Sequence, residues 1–196
     1  MTQRPSSGTD PASSIEVGRD LMREALRHSA SALKAAEVPF ALAGSYALWV
    51  FGGPEGSHDV DLVVPEASVE DAAEALAAAG FEIERPPEDW LFKAWRQGVL
   101  VDVLHRLLGA PVESACLDGA EEHDVLGIRI RVLEPTVVMI TKLLSLSEQY
   151  CDFGALLPYA RAVREQIDWQ RVRAETADHP FAETFVHLLD SLDIIG

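Results

Sequence analysis

Apolar and polar positions follow two periods along this chain, and the dominant period changes near residue 135. From Ile15 to Val38 the apolar residues recur at helical spacing (Ile15, Leu21, Met22, Ala25, Leu26, Ala32, Leu33), with Ser13 or Ser14 as an N-cap. Pro39 ends that helix and hands the chain to an apolar strand, Phe40 to Ala43. Gly44-Ser45 opens a short helix through Phe51, Gly52-Gly53-Pro54 turns the chain, and His58 to Val64 reads as a strand. An Ala-rich helix is predicted over Ser68 to Ala79. It is opened by Ser68-Val69-Glu70-Asp71, which resembles a capping box, and stopped by Gly80. Strands follow at 81–84, 90–95 and 99–104, the last two joined by a hairpin turn at Gln97-Gly98. Pro111 to Leu117 suits a short helix, and Ile128 to Leu133 alternates apolar residues with Arg, as a half-exposed strand does. From Pro135 onward the period is helical: one helix through Leu146, a second over Tyr150 to Arg164, a third over Phe181 to Leu192.

These elements predict an α/β (α+β) fold. Residues 15–134 would form a mixed β-sheet with flanking helices, and residues 135–196 a helical segment packed on it. Residues 1–14 are polar and rich in Pro, Ser and Gly. They lack the apolar stretch of a secretory signal and read as a disordered tail. At 196 residues and 48% apolar composition, the chain suits one domain with a substantial core. No run approaches the ~18 apolar residues of a membrane span. Cys116 and Cys151 have no metal-ligand spacing and read as buried free thiols of a cytoplasmic protein.

Charge narrows the partners. Sixteen Lys and Arg stand against 32 Asp and Glu, a formal net charge of −16. Nucleic-acid binders usually present a basic face, so this balance disfavours an RNA substrate without removing a local basic patch. It favours a cationic small molecule or a basic protein as partner.

The candidate chemistry lies at residues 40–64. Asp59 and Asp61 are spaced i, i+2 in a strand pattern, which places both carboxylates on one face. Two such groups repel and are costly to bury unless a cation lies between them; a hard divalent ion is the natural one. Just upstream, Gly44-Ser45 is a small-residue turn at a helix start, where free backbone N–H groups can hold phosphate.

The pattern Gly-Ser, thirteen residues, then Asp-x-Asp with apolar followers resembles the nucleotidyltransferase superfamily that includes DNA polymerase beta. The run Gly44-Ser45-x-Ala47-Leu48 leading to Gly53-Pro54, Ser57, Asp59, Asp61 and Leu62 is similar to minimal bacterial nucleotidyltransferases. These include the AbiEii-like toxin group and the lincosamide and aminoglycoside nucleotidyltransferases. The likeness is concentrated in residues 40–64 and extends more weakly to about residue 170. It implies a third acid on a later strand, and Asp102 inside Val99 to Leu104 fits that place.

The resemblance implies an enzyme that moves a nucleoside monophosphate from a nucleoside triphosphate to a hydroxyl, releasing pyrophosphate with Mg²⁺ or Mn²⁺ as cofactor. It assigns Asp59, Asp61 and Asp102 to the metal and to catalysis. It assigns Gly44, Ser45, Ser57 and Lys142 to the nucleotide. Lys142 is a lone cation on an otherwise apolar helix, a position that calls for a partner. The acceptor stays open among tRNA, a protein and a small molecule such as an antibiotic, and an antitoxin is a further possible partner. Two departures stand out. Glu55 occupies a place where relatives commonly carry Arg, and Asp152 lacks the basic residues that precede it in the family. Both leave room for the alternative, a non-catalytic descendant that binds a nucleotide or a partner. Trp49, Trp90, Phe92 and Trp95 read mainly as core and sheet packing, with stacking on a base or a drug ring as the alternative and Lys93 and Arg96 beside them as candidate acceptor contacts.

Overall fold

The strand-like runs assemble into one seven-stranded sheet, and the closing helices pack on one another and, through the first of them, on the short helix that follows the first strand. In the computed structural model, which describes residues 11–195, the first helix α1 covers Pro11–Ala35. The expected tail at 1–14 falls largely outside the described residues, and the helix starts four residues before Ile15. The chain continues through β1 (Ala41–Leu42), α2 (Gly44–Val50), β2 (Asp59–Val63), α3 (Val69–Ala78), β3 (Glu82–Glu84), β4 (Leu91–Arg96) and β5 (Val99–Leu104). A small hairpin of β6 (Arg106–Leu107) and β7 (Ala110–Pro111) precedes β8 (Glu121–Val125) and β9 (Ile128–Val132). Helices α4 (Pro135–Leu144), α5 (Phe153–Val163), α6 (Trp169–Glu175) and α7 (Pro180–Ser191) close the chain.

The sheet order is β3-β4-β5-β2-β1-β9-β8. β2 runs parallel to β5 and β1 parallel to β9, while the other neighbours are antiparallel. Alternation gives the central strands two unlike faces. Val60, Leu62, Val101, Val103, Phe92 and Ala94 are all essentially inaccessible. This face packs against α1 and α3. Along α1 the buried positions Met22, Ala25, Leu26, Ala30 and Leu33 form the matching stripe. The opposite face of β2, β5 and β4 carries Asp59, Asp61, Asp102 and Lys93, none of which is fully buried.

Two turns fix this geometry locally. Gln97 and Gly98 both have positive φ (50° and 79°), the type I′ pattern that suits a two-residue hairpin loop. That loop sets the β4–β5 register and brings Lys93 opposite Asp102. At the end of α3, Gly80 (φ 84°) donates to the Ala77 carbonyl and Phe81 to the Leu76 carbonyl, a Schellman stop at the predicted glycine. The capping box expected at the start of α3 is absent. Ser68 ends a 3₁₀ turn over Glu66–Ser68, and its side chain makes no cap hydrogen bond.

Three further differences have physical reasons. β8 was not visible in the sequence because Glu121-Glu122-His123-Asp124 is polar throughout; it forms the outer edge of the sheet, where charge discourages further pairing. Helix α6 buries only Val172 and is started by Asp168, whose side chain accepts from the Arg171 N–H, so it shows no apolar period. Cys116 and Cys151 are free thiols as expected, but both are exposed rather than buried. Cys116 lies in the 3₁₀ turn Ser114–Leu117, which buries only Leu117, and Cys151 lies in the loop before α5.

The two faces should respond differently to truncation. Leu62→Ala removes a fully buried side chain from the rear face and is expected to destabilise by about 2–5 kcal/mol. Leu104→Ala, on the half-buried front face, should cost clearly less. Urea unfolding reads both, and equal costs would contradict the two-faced sheet.

Candidate functional site

Parallel pairing of β2 with β5 places Asp61 directly beside Asp102, with Asp59 two residues earlier on the same face. One carboxylate oxygen from each of the three lies within 4.8 Å of those of the other two. All three side chains are half-buried. The Asp102 Oδ1 atom is buried and accepts no hydrogen bond. Burial and crowding hold Asp61 and Asp102 toward their protonated forms. Asp61 is pushed up to about 7, first by burial and then by Asp59, while Lys142 pulls it back. Asp102 is pushed up to about 6 by burial and by Asp59, with Lys93 opposing and Glu84 adding to the rise. Two ammonium groups therefore flank a cluster of three acids. The donor set is oxygen only, which suits a hard divalent cation such as Mg²⁺ or Mn²⁺.

Gly44 adjoins the acids for a steric reason. Its φ is +59°, and a Cβ built there would lie 1.7 Å from Asp61 Oδ2. The carboxylate rests against the bare Cα, so the glycine that opens α2 also makes room for the acid on β2. The backbone joins the same elements, because the Ala43 N–H donates to the Asp61 carbonyl at 2.9 Å. Lys142 projects from α4 and donates to Ser45 Oγ at 3.0 Å, with its ammonium 5.9 Å from the centre of the Tyr159 ring. The lone cation of an apolar helix thus has a hydroxyl partner and an aromatic neighbour.

These residues border a cleft of about 820 Å³. Gly44, Asp59, Asp61, Asp102 and Lys142 line it, while Ser45 meets the site through Lys142. Ser57 is exposed in the bend before β2 and does not line the cleft. Lys93 faces the cleft, whereas Arg96 turns away and donates to the Ala79 carbonyl at 2.7 Å. The aromatic residues divide. Phe92 is buried in the rear core, Trp95 donates to Glu84 at 2.8 Å, and Trp90 stands 45% exposed on the cleft wall. Asp152 caps α5 by accepting from the Ala155 N–H at 3.0 Å and is not on the cleft wall. Sequence reasoning missed Glu88 and Tyr150, which sit in loops, and Tyr159, whose helix α5 the sequence predicts but whose approach to Lys142 no spacing encodes. The weight of Lys93 was readable in principle, since a two-residue hairpin loop dictates its pairing with Asp102.

Glu55 does not intrude on the site. Its carboxylate accepts from Arg23 Nε and Nη2 of α1, both at 2.7 Å, and lies 3.5 Å from the Tyr46 hydroxyl. Its side chain is only 8% exposed and is absent from the cleft wall. A two-pronged guanidinium neutralises the charge of this carboxylate. Burial, with the Glu55 charge second, raises the Tyr46 phenol above its ordinary range.

Among solved structures, ANT(2'')-Ia in complex with adenylyl-2''-tobramycin superposes with a TM-score of 0.60 at 14% identity, covering 83% of this chain and 98% of that one. The solution structure of the antibiotic-resistance factor ANT(2'')-Ia gives the same TM-score and identity over 89% of this chain and 98% of that one. An antigenic nucleotidyltransferase-like protein from Paracoccidioides brasiliensis matches at 0.50 and 13% identity, over 86% and 91%. At these identities the likeness is one of fold. No curated protein matches the chain. A family model described as "uncharacterised nucleotidyltransferase" matches residues 20–192, the sheet and the closing helices together. The chain belongs to that nucleotidyltransferase family.

Proposed function

We propose that the chain transfers a nucleoside monophosphate from a nucleoside triphosphate to a hydroxyl acceptor, using Mg²⁺ or Mn²⁺ held by Asp59, Asp61 and Asp102. One observation carries this reading: three carboxylates meet within 4.8 Å beside Gly44 and Lys142 at the edge of an open cleft. When bound, the divalent ions would stabilise charge on the attacking and leaving oxygens.

The residues of the chain take the remaining roles. Gly44 presents bare backbone at the cleft, where a triphosphate can approach closely. Lys142, oriented by Ser45 and Tyr159, supplies positive charge to the phosphates. Ser57 is assigned to shaping the entry into β2 rather than to nucleotide contact, given its exposed position outside the cleft. Asp102, whose buried Oδ1 is unpartnered and whose proton affinity is raised, accepts the proton of the acceptor hydroxyl. The hydroxyl oxygen forms the new bond to the α-phosphorus, the bond between the α-phosphorus and the bridging oxygen breaks, and pyrophosphate leaves. The Arg23–Glu55 pair removes one argument for a non-catalytic descendant.

The direct test offers each labelled triphosphate, with Mg²⁺ or Mn²⁺, to separate pools of tRNA, total protein, aminoglycosides and lincosamides. Label should reach one pool and fall by roughly 10²–10³-fold or more in Asp61→Ala. Nucleotide binding without transfer to any pool would support the non-catalytic alternative instead.

A second expectation concerns pH. Asp61 and Asp102 bind protons more tightly in the folded chain than in the unfolded one, so their contribution to stability is lost as pH rises through about 6 and about 7. Mg²⁺ competes with those protons, so the melting temperature it adds should be larger at pH ~8 than at pH ~5.5. In Asp61→Asn the added stability should largely disappear. A Mg²⁺ effect independent of pH, or unchanged in the variant, would contradict this assignment.

A further inference from the structure

The cleft that holds the three acids also has an apolar and aromatic lining. Its volume of about 820 Å³ lies toward the upper end for small-molecule sites, which leaves room for more than a nucleotide. Pro86, Trp90, Leu91, Leu104, Leu107 and Tyr150 supply that lining. Trp90 is 45% and Tyr150 80% exposed, so both rings present apolar surface to the cleft. The backbone at Trp90 is held in place. Its carbonyl accepts from the His105 and Arg106 N–H groups at 3.0 and 3.2 Å, and Arg106 reaches Glu66 and Asp89 at 3.4 and 3.8 Å.

Charge points the same way. Asp59, Asp61, Asp102 and Glu88 face the cleft against Lys93 and Lys142. Divalent ions and a triphosphate largely cancel each other, so a nucleotide-loaded cleft keeps its acidic excess. Glu88 pairs with no cation among the described residues. A nucleic acid would need a basic track beside the site. Eight arginines are instead engaged by carboxylates, from Arg23 with Glu55 to Arg173 with Asp190, and Arg96 and Lys34 donate to backbone carbonyls.

We infer that the acceptor is a small organic cation bearing a hydroxyl and an apolar or aromatic body. Its body lies against Trp90 and Tyr150 and its amine faces Glu88. The inference rests on the transferase reading and adds the acceptor's chemistry to it.

The test measures pyrophosphate release with hydroxylated amines carrying aryl or alicyclic bodies, their N-acetylated counterparts, the body-less amines ethanolamine and serinol, and tRNA. Calorimetry with a non-hydrolysable triphosphate and Mg²⁺ reads nucleotide binding separately. The amines with a body should serve as acceptors, and N-acetylation or loss of the body should raise KM about tenfold or more. Trp90→Ala and Glu88→Gln should each raise KM for these amines by about tenfold and leave nucleotide affinity unchanged. Transfer to tRNA alone, equal use of the neutral counterparts, or unchanged KM in both variants overturns the inference and leaves the transferase reading standing. Loss of nucleotide affinity in Trp90→Ala also overturns it, by assigning that ring to the base. Nucleotide binding without transfer to any acceptor overturns both readings.

Discussion

The site depends on forcing like charges together. Left to electrostatics, Asp59, Asp61 and Asp102 would separate, because half-burial strengthens their repulsion and only Lys93 and Lys142 oppose it. What holds them is the rear of the sheet. Val60 and Leu62 on β2 and Val101 and Val103 on β5 are buried, and that face packs on α1 and α3. A slip of one residue between these strands would turn the acids into the core and the valines into the cleft, so the register cannot relax to relieve the repulsion. A divalent cation bound there would relieve it instead, and would become part of the site's electrostatic balance.

The surroundings are arranged around that stress. Gly44 lets the Asp61 carboxylate sit against its Cα, and the turn into α2 is thereby tied to the acid strand. Lys142 spans from α4 to Ser45 on α2, so the helical third of the chain contributes directly to the cleft. Most other cations are drawn away from it. Arg23 engages Glu55 on the far side of the loop before β2, and Arg171 bridges Glu134 and Glu175. A strongly acidic chain thus keeps two lysines, and few other positive groups, where the chemistry would occur.

Much of this was legible in the sequence because it rests on local rules. The i, i+2 spacing of Asp59 and Asp61, the glycine before α2, Gly80 at the end of α3 and the hairpin at Gln97-Gly98 each express a short-range constraint. The strand holding Asp102 was readable for the same reason. Its neighbour was not, since the β2–β5 pairing joins strands some forty residues apart and no turn dictates it. The edge strand β8 and the short helix α6 escaped notice because neither buries a periodic face. Glu55 misled because sequence gives a charge without its partner, and Arg23 lies 32 residues away. The exposed thiols and the cleft positions of Glu88 and Tyr150 depend on loop paths that no pattern encodes.

Anomalous diffraction from crystals grown with Mn²⁺ and a non-hydrolysable triphosphate tests the central claim most directly. The account predicts anomalous peaks in direct contact with carboxylate oxygens of Asp59, Asp61 and Asp102, with the phosphates beside Gly44 and Lys142. Well-ordered nucleotide with no manganese at those three carboxylates, or with manganese bound elsewhere, would contradict it.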